Sequence, residues 1–362
     1  MARPHYSSRL EDWFNAGLQA VLRRRGWQER IIPQVGYGNT EFVRVLARVV
    51  LGRDPRNQPR YDEDQVVRGW RVFVTAPATK VPVTVTVNGE TFETATDRGG
   101  FIDLTVPVVL PPGWHEIVLG VRGDRQARAR IFVPDPDATF GLVSDIDDTV
   151  ILTMLPRPLI AAWNTFVRDE QARRVVPGMA ELYAELLADH PGAPIFYLST
   201  GAWNTAPTLT RFLARHGYPP GPLLMTDWGP TNTGWFRSGQ EHKRTALRRL
   251  AREFPKVRWV LIGDDGQHDP QLYGDFAQTH PDQVLAIGIR QLTPAEQVLS
   301  HGLPVPNADP GAHDPDRPTA VTVQGPDGHA LRPQLRSVLT RPDTTAPEGS
   351  APGSATPESE TT

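Results

Sequence analysis

From Phe140 to Ile289 short apolar runs alternate with stretches long enough to be helices. The runs lie at 140–144, 194–198, 222–226, 257–262 and 284–289, and the helical stretches at 178–190, 205–216, 241–254 and 270–280. Two parallel strands need a crossover of about a dozen residues or more between them, usually a helix, so this alternation predicts a parallel sheet flanked by helices. Residues 319–340 add an edge strand ("AVTV"), a "GPDG" turn and a short helix. In such folds the reactive groups lie outside the carboxyl ends of the strands.

The chain before residue 134 reads differently. Residues 9–30 place Leu10, Trp13, Phe14, Leu18, Val21 and Leu22 at helical spacing, followed by Arg23, Arg24 and Arg25. An N-terminal amphipathic helix is predicted within residues 1–40. It either docks its apolar stripe on the neighbouring domain or lies on a membrane surface with its basic end in the headgroups. From 41 to 133 the pattern has period two: "FVRVLARVVL", "WRVFVTA", "VTVTV", "FIDLTVPVVL", "HEIVLGV" and "ARARIFV" are short strand candidates. Asn88-Gly89 between two of them suits a tight hairpin. A small all-β sandwich is predicted here as an accessory module whose partner the sequence does not name. "PDPDA" at 134–138 marks the boundary to the α/β domain, predicted over 134–340. Residues 341–362 are Pro, Thr, Ser and Glu with almost nothing apolar, a composition that predicts disorder.

Composition excludes several chemistries. With no cysteine among 362 residues, disulfides, thiolate catalysis and Cys-ligated metals are absent. A formal net charge of −3 gives no sign of nucleic-acid binding. No apolar run reaches the roughly 20 residues of a membrane span, and no signal-peptide core opens the chain. A cytoplasmic protein is expected, with peripheral contact at a membrane.

Four groups gather at the predicted strand ends. "GLVSDIDDT" ends a strand in Asp145, with Asp147 and Asp148 close behind. Carboxylates at that density need a cation between them or a proton on one of them. Both arrangements serve phosphoryl transfer, one carboxylate attacking phosphorus and the other protonating the leaving oxygen. "PIFYLSTG" ends a strand in Ser199 and Thr200 before Gly201, where a hydroxyl and backbone amides can hold phosphate oxygens. Lys243 in "GQEHKR" is placed near the start of the 241–254 helix, against the dipole, as a partner for a bound phosphate would be. "WVLIGDDGQHD" ends a strand in Asp264 and Asp265 with Asp269 following, an all-oxygen set suited to Mg²⁺. Taken singly, each also fits a capping, turn or surface role.

Taken together and in this order, the four motifs resemble the haloacid dehalogenase superfamily of phosphohydrolases. The match extends through "YLSTGAWN", "TDWGPT", "EHKR" and "GDDGQHDPQLYGDF". Over roughly 138–300 the chain is similar to the phosphatidate phosphatase catalytic domain family first recognised in a fungal actin-patch protein and present in many bacteria.

The resemblance implies a Rossmann-like parallel sheet without a large cap, and a Mg²⁺-dependent phosphatase. It implies Asp145 as nucleophile forming an aspartyl-phosphate, Asp147 as general acid and then base, and Thr149 steadying the loop. Ser199, with Thr200 and Gly201, would hold phosphate oxygens, and Lys243 would neutralise charge. Mg²⁺ is implied on Asp145, the Asp147 carbonyl and Asp264, with either Asp265 or Asp269 completing the site.

Some 43 residues lie between Ser199 and Lys243, and about 50 between the first two motifs, too few for a large lid. An open cleft favours a large or membrane-held substrate, so a phosphorylated lipid is expected, phosphatidate or a relative. The apolar stretch "ILTMLPRPLIAAW" at 151–163 either touches that lipid or packs beside the sheet. The other classes are the same chemistry on a phosphoprotein, polynucleotide or phosphosugar, and an adaptor without turnover.

Overall fold

The computed structural model describes residues 17, 19–53, 76–121, 125–152, 174–226, 235–266, 268–301 and 320–340. Most of the apolar stretch 151–163, the candidate strand at 70–75 and the tail 341–362 lie outside the described residues, as do parts of both intervals where a cap would sit.

Among the described residues nine strands build the first half: β1 (Trp27–Pro33), β2 (Gly36–Gly38), β3 (Val43–Arg53), β4 (Ala76–Pro77), β5 (Pro82–Val87), β6 (Glu90–Ala95), β7 (Phe101–Val106), β8 (Gly113–Val121) and β9 (Arg125–Val133). Their order is β1-β3-β2-β9-β8-β5-β6, with β4 and β7 also on β3. Pairing is antiparallel except between β2 and β9. Every second residue faces one core: Val43, Val45, Ala47, Val49 and Leu51 meet Val83, Val85, Val87, Ile117, Leu119, Ala129 and Ile131. The region expected as a sandwich is one hydrogen-bonded sheet around that core, because the eleven-residue β3 pairs with four other strands. Asn88 (φ 48°) and Gly89 (φ 83°) make the two-residue β5–β6 turn.

The predicted N-terminal helix needs correction. Helix ends at residue 24, and residues 27–30, read as its last turn, belong to β1, which is paired along its whole length with β3. Gly26 at φ 78° supplies the left-handed residue that stops a helix, and the Arg25 and Gly26 amides close back on Val21 and Arg23. The β region therefore begins at 27, not 41. The described part of the helix lies on this region: Gln19 is buried and donates to Thr79 Oγ1 at 2.9 Å, and Leu22 packs against the core.

The second half alternates β10 (Phe140–Asp145), α1 (Met179–Ala188), β11 (Ile195–Ala202), α2 (Ala206–Arg215), β12 (Leu223–Thr226), α3 (Trp235–Glu253), β13 (Arg258–Asp264), α4 (Asp269–Thr279), β14 (Val284–Arg290), α5 (Pro294–His301), β15 (Val321–Gly325) and α6 (Gly328–Leu339). All six strands are parallel, in the order β12-β11-β10-β13-β14-β15. The predicted alternation is borne out. Successive residues serve opposite faces: Leu142 and Val260 pack with α1, α2 and α6, while Val143 and Leu261 pack with α3 and α4. Strands covered on both faces read as unbroken apolar runs, which is why they were legible. The strand order reverses direction between β10 and β13, where such sheets open a crevice at the carboxyl ends. Those two strands end in Asp145 and Asp264.

The halves are joined by specific contacts. Tyr37 of β2, fully buried, packs edge-on against Phe196 with centroids 5.0 Å apart and donates to Glu253 at 2.7 Å. Arg44 bridges Glu253 at 2.8 Å and Asp103 at 2.6 Å. Asn39 donates to the Glu253 carbonyl.

Candidate active site

Apolar β10 carries Asp145 to the crevice with 1 % of its surface exposed. Lys243 Nζ lies 2.7 Å from Asp145 Oδ1 and 2.6 Å from Asp269 Oδ1, so one ammonium bridges two buried carboxylates. The oxygens of Asp145, Asp264 and Asp269 come within 4.8 Å of one another. Thr149 Oγ1 stands 3.4 Å from both Asp145 Oδ2 and Asp264 Oδ2, at the long limit of hydrogen bonding. Asp269 opens α4. Lys243 was expected near a helix start, but α3 begins at Trp235, so Lys243 sits more than two turns in. Its charge answers the carboxylates rather than a helix end.

Ser199 and Asp147 meet from different strand ends. Ser199 Oγ donates to Asp147 Oδ2 at 3.2 Å and accepts the Gly201 amide at 2.9 Å. Thr226 Oγ1 holds the carbonyls of Thr200 and Gly201 at 2.7 and 3.1 Å. The Thr200 methyl fits over Gly239 of α3, where a Cβ would stand 3.0 Å from it. That close approach lets α3 bring Lys243 to the strand ends.

Residues 146–151 form a closed turn. The amides of Val150 and Ile151 donate to the Ile146 carbonyl, and the Asp148 amide to Ile151. Asp148 adopts φ 58°, a conformation that costs a side-chain-bearing residue about 1–2 kcal/mol and falls least heavily on Asp and Asn. Arg290, at the end of β14, donates to the Asp148 carbonyl at 2.7 Å.

Burial pushes the carboxyls of Asp145 and Asp264 well above the usual range, and for Asp145 the Lys243 charge offsets this only in part. Burial alone would lower Lys243, yet Asp145 and Asp269 outweigh it and hold the ammonium charged. Three buried carboxylates against one lysine leave an excess of negative charge in low dielectric. Asp269 Oδ2 is buried with no hydrogen-bond partner. An all-oxygen set with excess charge and an orphaned oxygen fits a hard divalent cation such as Mg²⁺.

Of the two residues left open by the sequence, the structure groups Asp269 with Asp145 and Asp264. Asp265 Oδ1 instead accepts the Leu292 amide at 2.8 Å, and its carboxyl is raised by burial. Arg290 ends an apolar strand as Asp145 and Asp264 do, but no motif marks it in the sequence.

Residues 140–291 match the family model described as the catalytic domain of phosphatidate phosphatase APP1, and this bears out the resemblance read from the motifs. The chain is 32% identical over 152 residues to phosphatidate phosphatase APP1 of Saccharomyces cerevisiae, covering 41% of this chain and 25% of that protein. It is 26% identical over 152 residues to an uncharacterized protein of Schizosaccharomyces pombe, covering 42% and 25%. The chain thus spans about a quarter of the length of the curated relatives it matches. Among solved structures, the HAD domain of the effector protein Lem4 from Legionella pneumophila aligns with a TM-score of 0.28 and 15% identity over 42% of this chain and 85% of that one, a likeness too low to carry an argument.

Proposed function

We propose that the α/β half is a Mg²⁺-dependent phosphatase of haloacid dehalogenase type, acting on phosphatidate or a related lipid phosphate monoester through an aspartyl-phosphate. One observation carries this reading: Asp145, at the carboxyl end of a central strand, is gripped by Lys243 inside a cluster of buried carboxylates. The family match over 140–291 supports it.

Asp145, Asp264 and Asp269 would hold the cation, with the Asp147 carbonyl. When bound, Mg²⁺ supplies charge neutralisation at the transferring phosphoryl group. The residues do the rest. An Asp145 carboxylate oxygen bonds to phosphorus as the bond from phosphorus to the alcohol oxygen breaks, and Asp147 gives the departing oxygen its proton. Asp147 then takes a proton from water as that water's oxygen attacks phosphorus, releasing inorganic phosphate and restoring Asp145. Lys243 keeps the Asp145 carboxylate oriented and opposes the charge on the phosphoryl oxygens. Ser199, which donates to Asp147 in the free site, turns its hydroxyl to a phosphate oxygen when substrate enters. Thr149 steadies the two carboxylates it stands between.

The lipid substrate rests on the family's described activity and on the apolar sequence at 151–163 beside the catalytic turn. Action at a membrane surface follows from that substrate, and a cytoplasmic location is part of the same proposal; no helix among the described residues is long and apolar enough to cross a membrane. The test is phosphate release from phosphatidate in mixed micelles, with Mg²⁺ or chelator, for wild type and Asp145→Asn, with a soluble aryl phosphate alongside. Mg²⁺-dependent release, faster on lipid and lost in the variant, is expected. Turnover of the aryl ester alone would overturn the lipid assignment, and silence on both would overturn the enzyme.

A further inference from the structure

Arg290 is a buried cation that the chemistry above does not use. Its guanidinium serves three acceptors: Nη1 donates to the Asp148 carbonyl at 2.7 Å, Nε to the Pro326 carbonyl at 3.0 Å, and Nη2 to Glu296 at 2.7 Å. Glu296 is itself fixed, because its second oxygen accepts the Thr293 amide at 2.7 Å and its own amide lies 3.3 Å from Thr293 Oγ1. The guanidinium is therefore anchored on two sides and presents its remaining edge to one peptide of the 146–151 turn.

That peptide matters. Asp148 is one of three non-glycine residues at positive φ among the described residues, and the only one in the α/β half. Its φ sets the angle between the two peptides that flank it, the one from Asp147 and the one, bearing the Asp148 carbonyl, to Thr149. Relaxing that φ turns one peptide against the other, which would move the Asp147 carboxylate off Ser199. The Asp148 amide holds the first peptide on the Ile151 carbonyl, and the charged Arg290 donor holds the second through the Asp148 carbonyl, with a hydrogen bond about twice as strong as a neutral one.

The register supports the same point. Arg290 pairs with Asp264 as the last residues of β14 and β13. The strand pair that presents a carboxylate to the acid cluster thus also presents the cation that holds the neighbouring turn.

We propose that Arg290, oriented by Glu296, clamps the 146–151 turn, so that both are positioning residues for Asp145 and Asp147. This rests on the phosphatase reading, and the test separates the two. Wild type, Arg290→Lys, Arg290→Met and Glu296→Gln are compared by steady-state turnover of a soluble aryl phosphate with Mg²⁺ and by amide hydrogen exchange without substrate.

In the Arg290 variants kcat falls about 10²-fold, as a misplacement of about 1 Å does, with KM nearly unchanged. Glu296→Gln gives a smaller loss of the same kind. Lysine does not rescue, because a point charge cannot serve three acceptors in one plane. Exchange quickens at the amides of Asp148, Val150 and Ile151 while those of β10 and β13 hold.

Unchanged exchange at the turn in Arg290→Lys and Glu296→Gln would overturn the clamp whatever the turnover. Faster exchange with kcat intact would overturn the positioning role. If Arg290→Met fails to fold, the two milder variants decide. A wild type without turnover, with exchange still quickened in the variants, would remove the phosphatase reading and leave the clamp.

Discussion

Lys243 reaches Asp145 and Asp269 with one ammonium, at 2.7 and 2.6 Å, from the middle of a helix on one face of the sheet. It is the cation that makes a cluster of buried carboxylates tolerable. Removing one partner of a buried ion pair leaves the other uncompensated and costs about 3–5 kcal/mol. Lys243→Met is expected to lower the melting temperature sharply in chelator. Mg²⁺ should restore part of that loss, since a ligand bound only by the folded state stabilises it. Thermal melts of the variant with Mg²⁺ and with chelator check this; equal melts would show that no cation enters the cluster.

Asp145→Asn removes the attacking oxygen but keeps the side chain's shape. Burial already disfavours the Asp145 charge, so the variant should fold at least as well as wild type in chelator. Turnover should fall by about 10⁶-fold, the scale seen when a catalytic nucleophile is removed. A melt beside a turnover assay separates a chemical loss from a folding loss.

Glu253 gathers Tyr37, Arg44 and the join between the halves at one carboxylate. Glu253→Ala leaves a buried hydroxyl and a partly buried guanidinium without this acceptor, and a loss of about 3 kcal/mol is expected. Tyr37→Phe removes one hydrogen bond and should cost about 1 kcal/mol. Denaturant unfolding at neutral pH measures both. A single cooperative transition that shifts to lower denaturant would confirm that the halves unfold together.

Glu296 lies below the ordinary glutamate range: burial would raise it, but the Arg290 guanidinium and the Thr293 amide more than offset this. Between its unfolded and folded values the unfolded chain binds more protons, so stability is lost as pH falls through that window. The stability difference between wild type and Glu296→Gln should hold steady above about pH 5 and shrink as pH drops below the usual glutamate value of about 4.3. Urea titrations at a series of pH values test it.

Much of the α/β half could be read from the chain because its strands are covered on both faces and run apolar from end to end. Asp145, Asp264 and Asp269 were found because each stands at such a strand's end or just beyond it. Three features were hidden. "SGQ" at 238–240 weakens the helix signal, so the sequence does not show the early turns of α3; Gly239 there lies close under Thr200. Gly26 followed the arginine run as a stop signal, yet the apolar spacing on either side was read as continuous helix. The choice between Asp265 and Asp269 depended on which carboxylate a short loop turns inward. That is decided by the Leu292 amide, 27 residues from Asp265.

The seating of Tyr37 against Phe196 and Phe254 bears on how the gene can be cut. A chain started at Phe140 would keep every residue of the acid cluster, but it would bare an aromatic floor and strand Glu253 beside it. Such a fragment should clump as it leaves the ribosome. On that expectation the β half is no detachable passenger but a cover for the aromatic floor of the other half.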